Sequence, residues 1–201
     1  MSIYLFDDML RSNFPTICGV DEAGRGPLAG DVFAAAVILP QGIEIKGLND
    51  SKKITPKKRD ELFDIIKEEA ISYCIASANV NEIEELNILG ATMLAMGRAV
   101  NGLSKVPDLA IVDGNQVPDI QCEVHNVVKG DAKSASIAAA SILAKVSRDR
   151  YMLRLHDEYP QYGFDKHKGY GTKRHFEMIM QHGKCDVHRA SFLKKMEARN
   201  G

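Results

Sequence analysis

Apolar positions along the chain fall into short continuous runs, separated by longer stretches in which they recur with helical spacing. Residues 16–20 are short and mostly apolar, and residues 32–39 form an alanine-rich run ending at Pro40, so both read as largely buried strands. Gly24-Arg25-Gly26-Pro27 between them reads as a turn. Thr55 followed by Pro56 offers an N-cap with proline at the first helical position, and Leu62, Ile65, Ile66 and Ala70 then predict an amphipathic helix to about residue 70. Residues 73–80 suit a third strand, and 83–103 read as helical with Gly90 and Gly97 as weak points. A buried strand at 109–112 runs into the turn Asp113-Gly114-Asn115, and 122–128 predicts one more strand. From residue 132 to about 157 the chain reads as a long Ala-, Ser- and Lys-rich helix ended before Pro160. A loop at 162–170 and a helix at 173–181 follow, and from Cys185 onward no element is assigned. Three strands, a helical section, then alternating strand and helix predict an α/β fold, a mixed sheet flanked by helices.

At 201 residues and 45% hydrophobic content, one packed core is expected. The first eight residues lack the basic and long apolar regions of a signal peptide, and no apolar run is bilayer-sized, so the expectation is a cytoplasmic protein without a membrane partner. Cys18, Cys74, Cys122 and Cys185 lie far apart without a CxxC pair, which suggests neither zinc nor a disulfide framework. A net charge of −1 gives no hint of a nucleic-acid partner, but its distribution does. Residues 131–201 hold 14 Lys and Arg against 8 Asp and Glu, a balance of +6, whereas residues 1–130 carry −7. Within the acidic part, Lys52, Lys53, Lys57, Lys58 and Arg59 form a basic cluster that suits either phosphate contact or a solvated helix start.

Four acids stand where apolar strands end or helices begin: Asp21 and Glu22, Asp113, and Asp131. Carboxylates so placed suit hard divalent ions, which accept oxygen ligands and, for magnesium, keep several waters. Each also has a plainer role: Asp113 before Gly114 as a turn residue, Asp131 as a helix N-cap, Asp21-Glu22 as an exposed strand end. Adjacent strand residues point to opposite faces, so Asp21 and Glu22 share one site only if the strand ends or bulges, which Ala23-Gly24-Arg25-Gly26 would permit.

The block G-V-D-E-A-G-R-G-P-L-A-G from Gly19 resembles the signature that opens the type II ribonucleases H. Further blocks resemble that family in order: N-D-S-K-K from Asn49, I-V-D-G from Ile111, K-G-D-A-K-S-A-S-I-A-A-A-S-I-L-A-K from Lys129, H-K-G-Y-G-T-K-R-H from His167 and H-R-A-S-F from His188. The resemblance implies a ribonuclease H-like sheet in a single catalytic domain spanning 1–201, with residues from about 160 forming a substrate-contacting, helical C-terminal extension. It implies a catalytic, metal-binding quartet of Asp21, Glu22, Asp113 and Asp131 for Mg2+ or Mn2+, and two-metal hydrolysis. Gly24, Arg25 and Gly26 inherit contacts to a ribonucleotide's 2′-hydroxyl and phosphate, and Tyr170 inherits the sensing of the RNA–DNA junction. Lys52, Lys53, Lys168 and Lys173 look like phosphate contacts.

The implied substrates are RNA–DNA hybrids and duplex DNA containing ribonucleotides. With only about fifteen residues before the first strand and no clamp-binding apolar tail in 194–201, the resemblance is to the stand-alone bacterial-type branch, a monomer without an obligate protein partner. Two other functions share these features. A DNA nuclease or strand transferase could use the same fold and acids, and a hybrid-binding protein could use the basic loops without catalysis. Gly24-Arg25-Gly26 with Tyr170 speaks against the first, and retention of four acids against the second.

Overall fold

A computed structural model of the chain describes residues 2–49 and 54–194, so Lys52 and Lys53 lie outside the described residues. In chain order come α1 (Ile3–Arg11), β1 (Ile17–Ala23), β2 (Val32–Ile38), α2 (Pro56–Glu69), β3 (Ser72–Ala78), α3 (Val80–Asn101), β4 (Leu109–Asp113) and β5 (Glu123–Val127). A 3-10 turn (Gly130–Ala132) leads into α4 (Ala135–Glu158), and a second (Pro160–Tyr162) into α5 (Phe164–His167) and α6 (Lys173–His182). The strands form one sheet in the order β3-β2-β1-β4-β5. The β1–β2 and β2–β3 pairs are antiparallel, the β1–β4 and β4–β5 pairs parallel. This is the mixed sheet that the pattern predicts.

Alternation along the strands sends apolar side chains to both faces. Cys18, Val20, Ala34, Ala36, Ala110 and Val112 meet α3 through Ile83, Ala95 and Met96. On the opposite face, Ala35 and Val37 meet α2 and α4 through Leu62, Ile66, Ala139 and Leu143. A glycine is required where α4 crosses β1: a Cβ on Gly19 would lie 2.1 Å from the backbone carbon of Ser136. The close crossing brings α4 over the end of β1 that carries the acids.

Several local expectations are corrected. β1 runs through both acids instead of stopping before them, because Asp21, Glu22 and Ala23 pair with Ala35, Ala34 and Phe33 of β2. α3 breaks at Asn87 (φ 58°), not at a glycine; the Asn87 side chain accepts from the backbone N–H groups of Leu89 and Gly90 and so caps a second helical stretch. α4 starts at Ala135 with Ser134 as its N-cap, so Asp131 does not cap it. The 162–170 segment is largely helical turns. α1 was not foreseen at all; its buried Asp7 accepts from the backbone N–H and hydroxyl of Ser136 and ties the first helix to the start of α4. Beyond residue 160, Tyr162 and Phe164 pack on Met152 and Leu155 of α4, and Ala29 bridges to His188. Among the described residues no helix is long and apolar enough to cross a membrane.

Candidate active site

Because β1 and β4 are adjacent and parallel, with Val20 registered on Val112, the residues that follow, Asp21 and Asp113, emerge together at the same end of the sheet. The β1–β4 ladder ends at that register, so the β4 side of β1 is open beside Glu22. Asp21, Glu22 and Asp113 thereby line one cavity of about 270 Å³ although the strand neither ends nor bulges. The same cavity is lined by Gly24, Arg25 and Gly26 of the loop after β1, by Ser141, Lys145 and Arg148 of α4, and by Tyr170.

Asp21 is buried, and one of its carboxylate oxygens accepts the Glu22 backbone N–H at 2.7 Å. Burial first, then the charges of Glu22 and Asp113, holds its carboxyl well above the ordinary carboxylate range, against a hydrogen bond from Ser141. Glu22 is raised too, chiefly by burial, with the Arg25 guanidinium 3.4 Å away working in the other direction. Three carboxylates whose ionised forms oppose one another need a cation or protons to share the space. Hard oxygen donors of one sign fit a divalent cation. Among the described residues no three Asp, Glu, His or Cys side chains form a ready-made ligand cage.

Asp131 is not among the residues that line the cavity. It is buried in the 3-10 turn, and its neighbour Gly130 donates its backbone N–H to Asp113 at 2.7 Å. Gly24 (φ +102°) must be glycine, since a Cβ there would sit 2.0 Å from Nε of Arg148. A Cβ on Gly26 would lie 3.6 Å from the Tyr170 ring, which places the half-exposed tyrosine beside the Gly-Arg-Gly segment.

Of the predicted lysines, Lys168 and Lys173 do not line this cavity. Lys168 donates its ammonium to the Asp165 carbonyl and lines a neighbouring hollow with Arg59 and Arg150. Lys173 is almost fully exposed and pairs loosely with Glu177. Sequence reasoning passed over Ser141, Lys145 and Arg148. Their i, i+4, i+7 spacing sets them along one face of the helix, a signal that was available.

A mixed sheet between helical layers, with carboxylates at the ends of two adjacent parallel strands, defines an α/β protein of the ribonuclease H-like class. The ribonuclease HII family profile matches residues 18–195. The chain belongs to the ribonuclease HII family, a family of hydrolytic endoribonucleases. It is 53% identical over 192 residues to the ribonuclease HII of Caldicellulosiruptor saccharolyticus, covering 96% of this chain and 94% of that one. Its fold is similar to ribonuclease H2 from Pyrococcus horikoshii, with a TM-score of 0.75 and 28% identity over 92% of this chain and 98% of that one. Bst-RNase HIII in complex with Mn2+ shares the fold at a TM-score of 0.65 and 18% identity, over 84% of this chain and 63% of that one.

Proposed function

We propose that this protein hydrolyses the RNA strand of RNA–DNA hybrids and cuts on the 5′ side of single ribonucleotides in duplex DNA, leaving 5′-phosphate and 3′-hydroxyl ends. The observation that carries this reading is a single cavity in which Asp21, Glu22 and Asp113 face the Gly24-Arg25-Gly26 backbone and the Tyr170 ring. Carboxylates of this kind serve phosphodiester hydrolysis, and the other two features suit recognition of a sugar. A 2′-hydroxyl both donates and accepts, which is what distinguishes RNA from DNA at one position.

Asp21, Glu22 and Asp113 would hold Mg2+ or Mn2+, with Asp131 as the fourth acid, next to Gly130 whose backbone N–H donates to Asp113; Bst-RNase HIII was solved with Mn2+. When bound, such ions supply neutralisation of phosphate charge and a water of lowered pKa. The chain's own groups do the rest. Lys145, paired with Asp149 at 2.7 Å, and the buried Arg148, which donates to the carbonyls of Ala29, Asp31 and Lys168, line the side of the cavity formed by α4. Gly24 leaves room for the Arg148 side chain, and Gly26 leaves open the space beside the Tyr170 ring where a sugar–phosphate backbone would approach.

The test is incubation with Mg2+ or Mn2+ and three duplexes: an all-RNA strand on DNA, one ribonucleotide in DNA, and DNA only. Cleavage of the first two with 5′-phosphate ends is expected. Equal cleavage of the DNA-only duplex would favour a general nuclease, tight hybrid binding without cleavage a binding protein, and 2′,3′-cyclic ends would overturn hydrolysis by water.

A further inference from the structure

Arg189, in the segment after α6, is completely buried, and every hydrogen bond it donates ends on one loop. Nε donates to the Gly30 carbonyl at 2.9 Å, Nη1 to those of Arg25 at 3.1 Å and Pro27 at 2.9 Å, and Nη2 to that of Gly24 at 2.7 Å. Its backbone N–H donates to Leu28 at 2.8 Å, and its guanidinium lies 5.3 Å from the centre of the Phe192 ring. Burying a cation is costly unless its donors are satisfied, and the guanidinium fork is a shape that can gather several carbonyls at once. Burial and the nearby Arg148 cation push Arg189 down to about 9, which leaves it charged at neutral pH.

In a trans peptide unit the carbonyl and the following N–H point in opposite directions. With the carbonyls of Gly24 and Arg25 turned toward Arg189, the N–H groups of Arg25 and Gly26 are turned away from it. These residues line the carboxylate cavity, so that is the side the two donors address. Successive outward N–H groups make a concavity that binds anionic or hydroxyl oxygen.

We infer that Arg189 is a positioning residue: it fixes two peptide units so that the Arg25 and Gly26 N–H groups are preset as donors to the 2′-oxygen and adjoining phosphate of the bound ribonucleotide. The inference rests on the proposed reading of the cavity as a ribonucleotide site. A purely structural role would only fasten the C-terminal segment to the loop, and would leave substrate discrimination intact in any variant that folds.

Binding is measured without divalent metal, so that no cleavage intervenes, on duplexes with and without one ribonucleotide. Wild type should prefer the ribonucleotide duplex. Arg189→Lys keeps the charge but not the fork, and its preference should fall by about tenfold, the worth of roughly one charge-assisted hydrogen bond. Added guanidinium should restore part of the preference to Arg189→Ala. An unchanged preference in a folded Arg189→Lys overturns the inference. A measurement on wild type removes the dependence on folding of the variants: the amide resonances of Arg25 and Gly26 should shift on adding the one-ribonucleotide duplex and shift less with DNA alone. If neither amide responds, the inference fails even where cleavage is normal. If wild type shows no preference and no cleavage, it is the ribonucleotide reading itself that falls, and this inference with it.

Discussion

The imidazoles of His175 and His188 face each other through their Nε2 atoms at 3.1 Å, both buried. One of these two nitrogens carries a proton and the other accepts it, and the outer partners decide which. His188 Nδ1 accepts the backbone N–H of Cys185 at 3.0 Å, so its proton is on Nε2. His175 Nδ1 meets the Tyr170 carbonyl at 2.9 Å and must donate, so its Nε2 accepts. Cys185, His188, His175 and Tyr170 therefore form a one-directional chain of neutral groups. A second proton on either ring would set N–H against N–H.

This chain predicts an acid-labile anchor for Tyr170. Burial above all pushes both His175 and His188 down to about 4 from an ordinary 6.5, with the stacked His167 also lowered. Between those values the unfolded chain binds protons that the folded one does not, so this contribution to stability is whole above pH 6.5 and lost as pH falls toward 4. Buried carboxyls at Asp7, Asp21 and Asp31, all raised, act with the opposite sign, since the unfolded chain gives up their protons first as pH rises. The informative quantity is thus a difference: the drop in Tm from pH 7 to pH 4.5 should be smaller in His188→Gln than in wild type. An equal or larger drop in the variant removes the relay as the titrating element.

Asp113→Asn should abolish turnover while preserving the fold, because charge at the cavity is lost with almost no change of volume. The loss should exceed ~100-fold, the upper range for removing even a hydrogen-bond partner of a metal ligand. Its neighbour tells the two effects apart: the amide can still accept from Gly130 through its oxygen, so circular dichroism should be unchanged. Turnover within a few-fold of wild type would take Asp113 out of the catalytic set.

Much of this arrangement was written locally. The strands at 17, 32 and 109 and the Thr55-Pro56 helix start carry their own patterns, and the acids stand in recognisable blocks. What escaped depends on distant partners. α1 is only nine residues long, and its inward side chains Phe6 and Leu10 find their partners in Ile17, Leu109 and Ile111, far along the chain. The link between Asp7 and Ser136 spans 129 residues. Arg189 stands in the H-R-A-S-F block, but nothing around it reveals that its cation gathers the carbonyls of a loop 159 to 165 residues earlier. The opening beside Glu22 is likewise set by where β4 stops, not by residues 21–26.

Gly19→Ala should be among the most disruptive single-methyl changes in the chain. The added carbon would meet the Ser136 backbone at 2.1 Å and Ile137 N at 2.3 Å, and backbone cannot swing aside as a side-chain end can. A cost of about 3 kcal/mol or more is expected for such overpacking. That corresponds to a fall in Tm of roughly 6–12 °C for a chain of this size. Because α4 carries Ser141, Lys145 and Arg148, its displacement should also lower activity well below the melting range. A Tm within about 2 °C of wild type would show that the α4–β1 crossing yields easily.

Tyr170 gives the sharpest test of substrate choice. Its ring is half-exposed at the rim of the cavity beside Gly26, so it can pack on a sugar without leaving its place, while its carbonyl is held by the histidine chain and by the Thr172 N–H. An apolar ring face tolerates a deoxyribose, whereas a second hydroxyl pressed against it would lose its hydration. On the proposed reading, one ribonucleotide next to a deoxynucleotide would satisfy the Gly-Arg-Gly segment and the ring together. Tyr170→Ala should lose most of the preference for the single-ribonucleotide duplex over the all-RNA strand, by about tenfold, as expected for one stacking contact. Tyr170→Phe should keep more of it than Tyr170→Ala if packing, and not the phenolic hydroxyl, does the reading. Because the backbone hydrogen bonds at Tyr170 are independent of its side chain, neither change should disturb the fold. Rates of cleavage on both substrates for all three proteins decide the matter: if Tyr170→Ala keeps the wild-type ratio, junction sensing lies elsewhere in the cavity.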